Sequence, residues 1–147
     1  MFDQPVRSIM ERKKFLAAAP ETSVSNAARM MEDKNVGAVM VVENEHLVGI
    51  FTERDAVFRV IARGRDAQTT RLSDVMTTAP QTVDPDKSFG YALLMMHENG
   101  FRHVPVIENG KPIGIVSSRN ALDPDLEEFV SEEQRRNHIR LTTVGYS

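Results

Sequence analysis

The sequence contains no cysteine and no apolar run close to the roughly 20 residues that a membrane-spanning helix needs. The missing cysteines exclude disulfides, thiolate catalysis and cysteine-based zinc sites. The N-terminus also lacks the pattern of an export signal. A hydrophobic content of 41% and a charged content of 27% are typical of a globular protein in water. We therefore expect a cytoplasmic protein without a membrane segment.

Charge and side-chain chemistry argue against three further classes. A net charge of −3 argues against nonspecific binding of nucleic acid. No nucleophile paired with a general base is evident, which argues against an enzyme. The histidines lack the spacing of metal ligands, so no metal site is predicted. They are His46, His97, His103 and His138.

The most informative pattern is an internal repeat. The segment Val36–Asp55 recurs without a gap as Phe101–Asn120, at an offset of 65 residues. A helical apolar stripe recurs at the same offset. Its members in the first copy are Val24, Ala27, Ala28 and Met31, and in the second Phe89, Ala92, Leu93 and Met96. A repeat of this length indicates one folding unit used twice.

Each copy begins with a related segment, Val6–Met10 or Leu72–Met76, which we call the first and second leader segments. The repeat then predicts domains at residues 6–64 and 72–122, a linker at 65–71, and a helical segment with a tail at 123–147. Within each domain the expected order is helix, strand, tight turn, strand, helix. Ser23 and Ser88 are candidate helix caps, and Asn109-Gly110 is a strong hairpin signal.

The last helix of the first copy is predicted from about Glu53 to Arg63, with Gly64 as its stop. Val57, Val60 and Ile61 are expected to form its buried face.

A turn with the pattern Gly-Ile-x-Thr/Ser-x-Arg-Asp/Asn ends the second long strand of each copy. Free backbone N–H groups at a helix start favour an anion such as phosphate. Thr52 adds a hydroxyl, Arg54 a cation, and Asp55 an acceptor for ribose hydroxyls. Gly49 lets another group approach the backbone closely, as Gly114 does in the second copy. Such a set suits a nucleoside phosphate, although Thr52 with an acid three residues later is also an ordinary capping box.

The paired pattern resembles a tandem cystathionine-β-synthase-type (CBS) domain pair, or Bateman module. The matching features are the leader segments, the His-Val-Pro-Val-Ile strand at 103–107 and the two turns, which together span roughly Val6 to Leu122. The resemblance implies an α/β (α+β) fold. Two CBS repeats, each a small sheet flanked by helices, would pack sheet to sheet with pseudo-twofold symmetry and enclose two clefts.

The resemblance also implies an adenosine-containing ligand: AMP, ADP, ATP, NAD or S-adenosylmethionine. Asp55 would hold the ribose hydroxyls, and Thr52 and Arg54 would meet phosphate. The second set would be Ser117, Arg119 and Asn120. The residues bordering the adenine would be Val36, Gly37, Ala38, Phe101, Arg102 and His103. The remaining cleft contacts would be Ile50, Ile115, Thr78 and Pro80.

Asn120 departs from the family's aspartate, and an amide loses the charge-assisted strength of a carboxylate toward a hydroxyl. We therefore predict two unequal sites. The function predicted is a non-enzymatic regulatory sensor, a homodimer that signals occupancy to an enzyme or transporter. The alternative is a structural or interaction module, or a regulatory subunit, that binds no nucleotide.

Overall fold

The structure is a computed structural model that describes residues 1–10, 15–121, 132, 133, 135 and 136. Two α/β units follow each other along the described chain. The first contains β1 (Ala17–Ala18), α1 (Val24–Lys34), β2 (Ala38–Glu43), β3 (His46–Thr52) and α2 (Glu53–Asp55). The second contains α3 (Leu72–Val75), β4 (Thr77–Thr78), α4 (Phe89–Asn99), β5 (His103–Glu108) and β6 (Lys111–Ser117). Short 3-10 turns lie at Val6–Ser8 and Ser118–Ala121.

The long strands of each unit form an antiparallel hairpin, as predicted. β2 pairs with β3 and β5 pairs with β6, and each pair carries one irregularity, at Val41/Val42 and at Val106/Ile107. Asn109 and Gly110 both have positive φ, which is the geometry of the tight turn expected from this dipeptide. The first hairpin uses the same left-handed turn although Glu45 stands where the second copy has glycine.

The two long helices start at the predicted caps. Ser23 accepts a hydrogen bond from the N–H of Asn26, and Ser88 accepts one from the N–H of Tyr91. Each stripe is buried at its first, second and fourth positions. The prediction was wrong for Ala28, which is exposed, whereas its counterpart Leu93 is half-buried.

The leader segments are exchanged between the units. Val6 and Met10 of the first leader pack in the core of the second unit, around Phe89. Leu72 and Val75 of the second leader pack in the core of the first unit. The apolar pattern of the sequence marked these residues as buried but contained no information on which core receives them. The predicted domain limits stay a prediction. Each hydrophobic core contains residues from both units.

Backbone hydrogen bonds hold both leaders in equivalent positions. The N–H groups of Val6 and Arg7 donate to the carbonyls of Lys87 and Pro85, and Leu72 and Ser73 donate in the same way to Thr22 and Pro20. The first leader is also held by an ion pair between Arg7 and Glu108. The hydrogen bond and charge of Glu108 raise the pKa of Arg7 above its ordinary value, so this arginine stays protonated.

The second leader continues into β4, which pairs with the outer edge of β3. Gly49 lies at this crossing, opposite Thr78. A Cβ on Gly49 would lie 3.0 Å from the carbonyl oxygen of Thr77 and would collide with the sulfur of Met76. The close approach predicted for this glycine is therefore an approach by the protein's own second leader.

A third apolar cluster joins the two units face to face. It contains Ala38 and Met40 of β2, Ile50 of β3 and Ile115 of β6, all buried. The two hairpin sheets thus pack against each other, and corresponding elements lie on opposite sides of the contact. The predicted α/β (α+β) fold of two repeats packed with pseudo-twofold symmetry is confirmed.

The helix after β3 departs from the predicted pattern. α2 passes into a π-helical segment, Ala56–Ile61, in which the N–H of Ala62 bonds to the carbonyl of Val57. Val60 is buried, but Val57 and Ile61 are 48% and 71% exposed, so the predicted buried face was wrong at those two positions. The wider winding changes the angular spacing that the α-helical prediction assumed. Gly64 ends the helix with positive φ, as expected.

The predicted segment at 123–147 lies outside the described residues except at four positions, which are helical. Within the described part of the chain, no helix has the length and apolar content required to cross a membrane.

We expect Gly49→Ala to lower the free energy of unfolding by about 1–3 kcal/mol, because the added methyl group overpacks the crossing with Met76 and Thr77. Chemical denaturation followed by circular dichroism would measure the loss. A midpoint equal to that of the wild type would show that β4 can move away without cost.

Candidate functional site

A cleft of about 930 Å³ opens between the two units, and we call it the first cleft. Nine of the residues predicted from the sequence line it together. They are Gly37, Ile50, Thr52, Arg54, Asp55, Pro80, Phe101, Arg102 and His103. The cleft therefore combines the turn of the first repeat with the helix-to-strand loop of the second.

The other seven predicted residues are absent from the lining of the first cleft. Val36 packs beside the first core, and Ala38 and Ile115 are buried between the sheets. Thr78 pairs with Gly49, so its neighbours Thr77 and Ala79 line the wall instead. The remaining three belong to the second turn and are Ser117, Arg119 and Asn120.

Thr52 and Asp55 form a reciprocal capping box at the start of α2. The carboxylate oxygen Oδ2 of Asp55 accepts from the Thr52 N–H at 2.9 Å and lies 3.2 Å from the Thr52 hydroxyl. The hydroxyl in turn accepts from the N–H of Asp55 at 3.4 Å. Asp55 is only 8% exposed, so these bonds fix its side chain at the floor of the cleft.

The prediction of several free N–H groups at this turn was wrong. The N–H of Glu53 donates to the carbonyl of Gly37 at 3.1 Å, and the N–H of Asp55 donates to Thr52. Three of the four N–H groups from Thr52 to Asp55 thus have acceptors within the protein. Attraction for an anion must come mainly from side chains.

Arg59 makes the largest set of polar contacts in the first cleft that the sequence prediction did not include. Its Nε lies 3.4 Å from Oδ1 of Asp55. Its Nη1 donates to the carbonyls of Val75 and Met76 at 3.2 and 3.0 Å, at the end of α3. Arg59 therefore joins the carboxylate of the first repeat to the second leader.

Two further exposed cations line the first cleft beside Arg59, namely Arg54 and Arg102. The guanidinium of Arg54 stacks over the ring of Phe58 at 5.3 Å from the ring centroid. Neither arginine forms an ion pair within the described residues. Both guanidinium groups can therefore donate to an anionic ligand without breaking an existing salt bridge.

The second turn repeats the local geometry of the first. The side-chain oxygen of Asn120 accepts from the N–H of Ser117 at 2.8 Å and lies 3.4 Å from the Ser117 hydroxyl. Ser117 is buried, and Arg119 is exposed. The residues equivalent to the wall at 77–80 are residues 11–14, which lie outside the described part of the chain.

Sequence reasoning missed eight lining residues: Glu53, Phe58, Arg59, Thr77, Ala79, Gln81, Asn99 and Gly100. One of them had a signal, because Arg59 follows Asp55 by four residues, a spacing that pairs side chains on a helix. Gln81 and Asn99 come together through a hydrogen bond of 3.0 Å that joins a loop to the end of α4. No local pattern predicts that contact.

Comparison with known proteins identifies the family. The model of the CBS domain matches residues 6–62 and 72–125. The chain belongs to the CBS-domain family and carries the domain twice. The CBS domain-containing protein YhcV of Bacillus subtilis is 36% identical over 99 residues, which are 67% of this chain and 70% of that protein.

A mitochondrial CBS domain-containing protein of Arabidopsis thaliana, CBSX3, is 35% identical over 128 residues. The match includes 84% of this chain but 62% of the Arabidopsis protein, so this chain spans less than two thirds of that relative. CBS-domain proteins are generally regulatory modules, and the shared domain supports that coarse description here.

Solved structures share the fold. A crystal structure of a conserved protein from Pyrococcus horikoshii superposes with a TM-score of 0.76 at 30% identity, covering 82% of this chain and 90% of that one. A CBS domain protein of Pyrobaculum aerophilum, complexed with AMP, superposes with a TM-score of 0.74. It is 20% identical, covers 86% of this chain and 98% of its own, and shows the fold alone.

We expect Asp55→Ala to lower the free energy of unfolding by about 1–2 kcal/mol, because it leaves the Thr52 N–H without its acceptor. Asp55→Asn should lose less than half as much, since Asn120 already accepts the equivalent bond. Thermal and chemical denaturation of both variants would measure the difference. Equal losses would show that the charge of Asp55, and not its capping bond, stabilises the turn.

Proposed function

We propose that this protein is a non-enzymatic sensor that binds an adenosine-containing ligand in the first cleft. The observation that carries the proposal is the convergence of Asp55, Arg54 and Arg102, from both repeats, on one cavity of about 930 Å³. That volume lies within the roughly 300–1,000 Å³ typical of small-molecule sites. Ligands of matching chemistry are AMP, ADP, ATP, NAD and S-adenosylmethionine.

The proposed roles follow from the chemistry of each group. Asp55 accepts hydrogen bonds from the ribose, while Arg54 meets the phosphate. Thr52 contributes chiefly by holding Asp55, since its hydroxyl and its N–H are already bonded within the capping box. The base lies toward the loop of the second repeat, and its proposed neighbours are Gly37, Ile50, Phe101, Arg102, His103 and Pro80.

The second turn is proposed as a weaker site. Ser117 and Asn120 are held in the same geometry as their counterparts, but the amide lacks the negative charge of Asp55. Arg119 is the equivalent cation, and Ile115 lies buried behind the turn. Val36, Ala38 and Thr78 have no direct ligand contact in this proposal.

Signalling is proposed to depend on unequal affinity for two arrangements of the repeats. A ligand shifts such an equilibrium only as far as it prefers one arrangement. The first cleft is suited to this mechanism because its walls belong to different repeats. A regulated enzyme or transporter would read the change, and the absence of cysteine leads us to propose the cytoplasm as the compartment.

A structural or interaction module that binds no nucleotide is the second candidate. The favouring observation is that Thr52, Asp55 and Arg59 already satisfy one another within the protein. A scaffold has no evident use, however, for two exposed arginines facing a deep cleft.

A nucleotide that binds the folded protein should raise the free energy of unfolding by about 2.7 kcal/mol when its free concentration is 100 times its dissociation constant. For a chain of this size the melting temperature should rise by about 5–10 °C. A thermal-shift screen with AMP, ADP, ATP, NAD and S-adenosylmethionine would identify the ligand. No ATP hydrolysis is expected from the pure protein.

Asp55→Asn tests the contribution of the charge of Asp55 to binding, because this variant keeps the capping bond and removes only the charge. We expect calorimetry to give about tenfold weaker binding for this variant, with the fold intact. The absence of a shift with all five ligands would favour the scaffold.

Self-association as a homodimer is proposed on the exposed apolar side chains of two helices. Val57 and Ile61 belong to the π-helical segment, and Tyr91 and Leu94 to α4; they are 48%, 71%, 47% and 55% exposed. We propose that they contribute to one contiguous apolar patch, since exposed patches of this kind commonly mark an interface.

We expect the wild type to migrate as a dimer at micromolar concentration in size-exclusion chromatography with light scattering. The double variant Ile61→Glu, Leu94→Glu should migrate as a monomer, since burying two carboxylates in an apolar contact is unfavourable. Gln68→Glu, which adds a charge in the linker, is the control. A monomeric wild type would remove the homodimer from the proposal.

A further inference from the structure

Arg54 lines the first cleft without any hydrogen bond or ion pair of its side chain to the residues that the structure describes. The adjacent carboxylate of Asp55 is paired with Arg59 instead, whose Nε lies 3.4 Å from Oδ1. A long arginine side chain loses much rotamer freedom when a ligand fixes it, and this loss weakens binding. A contact that orients Arg54 in the unbound protein would therefore increase its contribution to affinity.

Phe58 provides such a contact. The guanidinium carbon of Arg54 lies over the ring of Phe58, 5.3 Å from the ring centroid. At this distance the ring quadrupole attracts a cation. Phe58 follows Arg54 by four residues, a spacing at which side chains on a helix meet, and both residues line the first cleft. The ring thus holds the guanidinium at the cleft wall.

An aromatic partner leaves the guanidinium available to a ligand. The group has five N–H donors, and a carboxylate partner commonly uses two of them in a bidentate pair. A phenyl ring has no lone pair and carries no net negative charge. Phe58 can therefore orient Arg54 while its positive charge and its hydrogen-bond donors remain free to bind a phosphate.

The position of Phe58 separates it from the exposed apolar side chains nearby. Phe58 is 54% exposed, and Val57 and Ile61 in the same segment are exposed as well. Phe58 lines the first cleft, however, whereas Val57 and Ile61 are absent from its lining. The ring of Phe58 is therefore placed to act on the cleft.

We infer that Phe58 is a positioning residue of the first cleft: its ring holds the guanidinium of Arg54 in place for the phosphate of the ligand. A ligand without a phosphate gains nothing from this contact. The inference rests on the proposed function and adds to it the residue that pre-organises the phosphate contact.

The test compares AMP with adenosine, which differ only by the phosphate, in titration calorimetry. Phe58→Leu removes the ring from a half-exposed position, so the fold should be retained. We expect this variant to bind AMP about two- to fivefold more weakly, while its affinity for adenosine changes less than about 1.5-fold. Phe58→Tyr keeps an aromatic ring and should bind AMP within about twofold of the wild type.

The chain offers a matched control outside the cleft. Nζ of Lys87 lies 5.3 Å from the centroid of the Tyr91 ring, and Tyr91 is 47% exposed. Tyr91 is absent from the lining of the first cleft. Tyr91→Leu therefore removes an exposed ring and a contact of the same kind, and it should change the affinity for neither ligand.

A double variant tests whether Phe58 acts through Arg54. Arg54→Met should weaken AMP binding about tenfold, because it removes a charge-assisted contact. Addition of Phe58→Leu to Arg54→Met should cause no further loss, since the two residues act as one unit. Fully additive losses would show that Phe58 does not act through Arg54 and would overturn the inference.

The inference and the proposed function fail by different results. Equal losses for AMP and adenosine in Phe58→Leu, or no loss for either, would overturn the positioning role and leave the nucleotide site in place. A wild type that binds neither AMP nor adenosine would overturn the proposed function, and the role of Phe58 with it.

Discussion

The exchange of leader segments is the constraint on which the rest of the molecule depends. Val6 and Met10 complete the core beside α4, and Leu72 and Val75 complete the core beside α1. Neither repeat contains, in its own stretch of sequence, all of the apolar side chains that its core requires. The repeats are consequently held together by the two cores and by the contact between the sheets. The first cleft lies between the repeats, so the positions of its walls depend on these contacts.

Much of this architecture follows from the sequence because the repeat supplies each element twice. The hairpins, the serine caps and the stop at Gly64 are set by local chemistry, and local chemistry is readable. The exchange of Val6 and Leu72 is different, because an apolar periodicity predicts burial without naming the partner. The exposure of Ile61 was likewise unpredictable, since it depends on a change of helical winding that leaves no mark in composition.

The candidate site was predictable to the extent that its chemistry is continuous in the chain. Thr52, Arg54 and Asp55 lie within four residues, and they do share a cleft. The sequence presents a capping box and a binding turn as alternatives, but the proposed binding turn contains the capping box: the bonds that cap α2 also orient the carboxylate of Asp55. Gln81 and Asn99, which meet only through the fold, had no such signal.

The π-helical segment Ala56–Ile61 has a consequence beyond the cleft. In an α-helix each residue advances about 100° around the axis, so a wider turn rotates everything that follows it relative to an α-helical path. Ile61 is exposed in this segment, while Arg59, two residues earlier, reaches Asp55. The backbone winding of the segment that carries the arginine therefore also determines which of its apolar side chains are exposed.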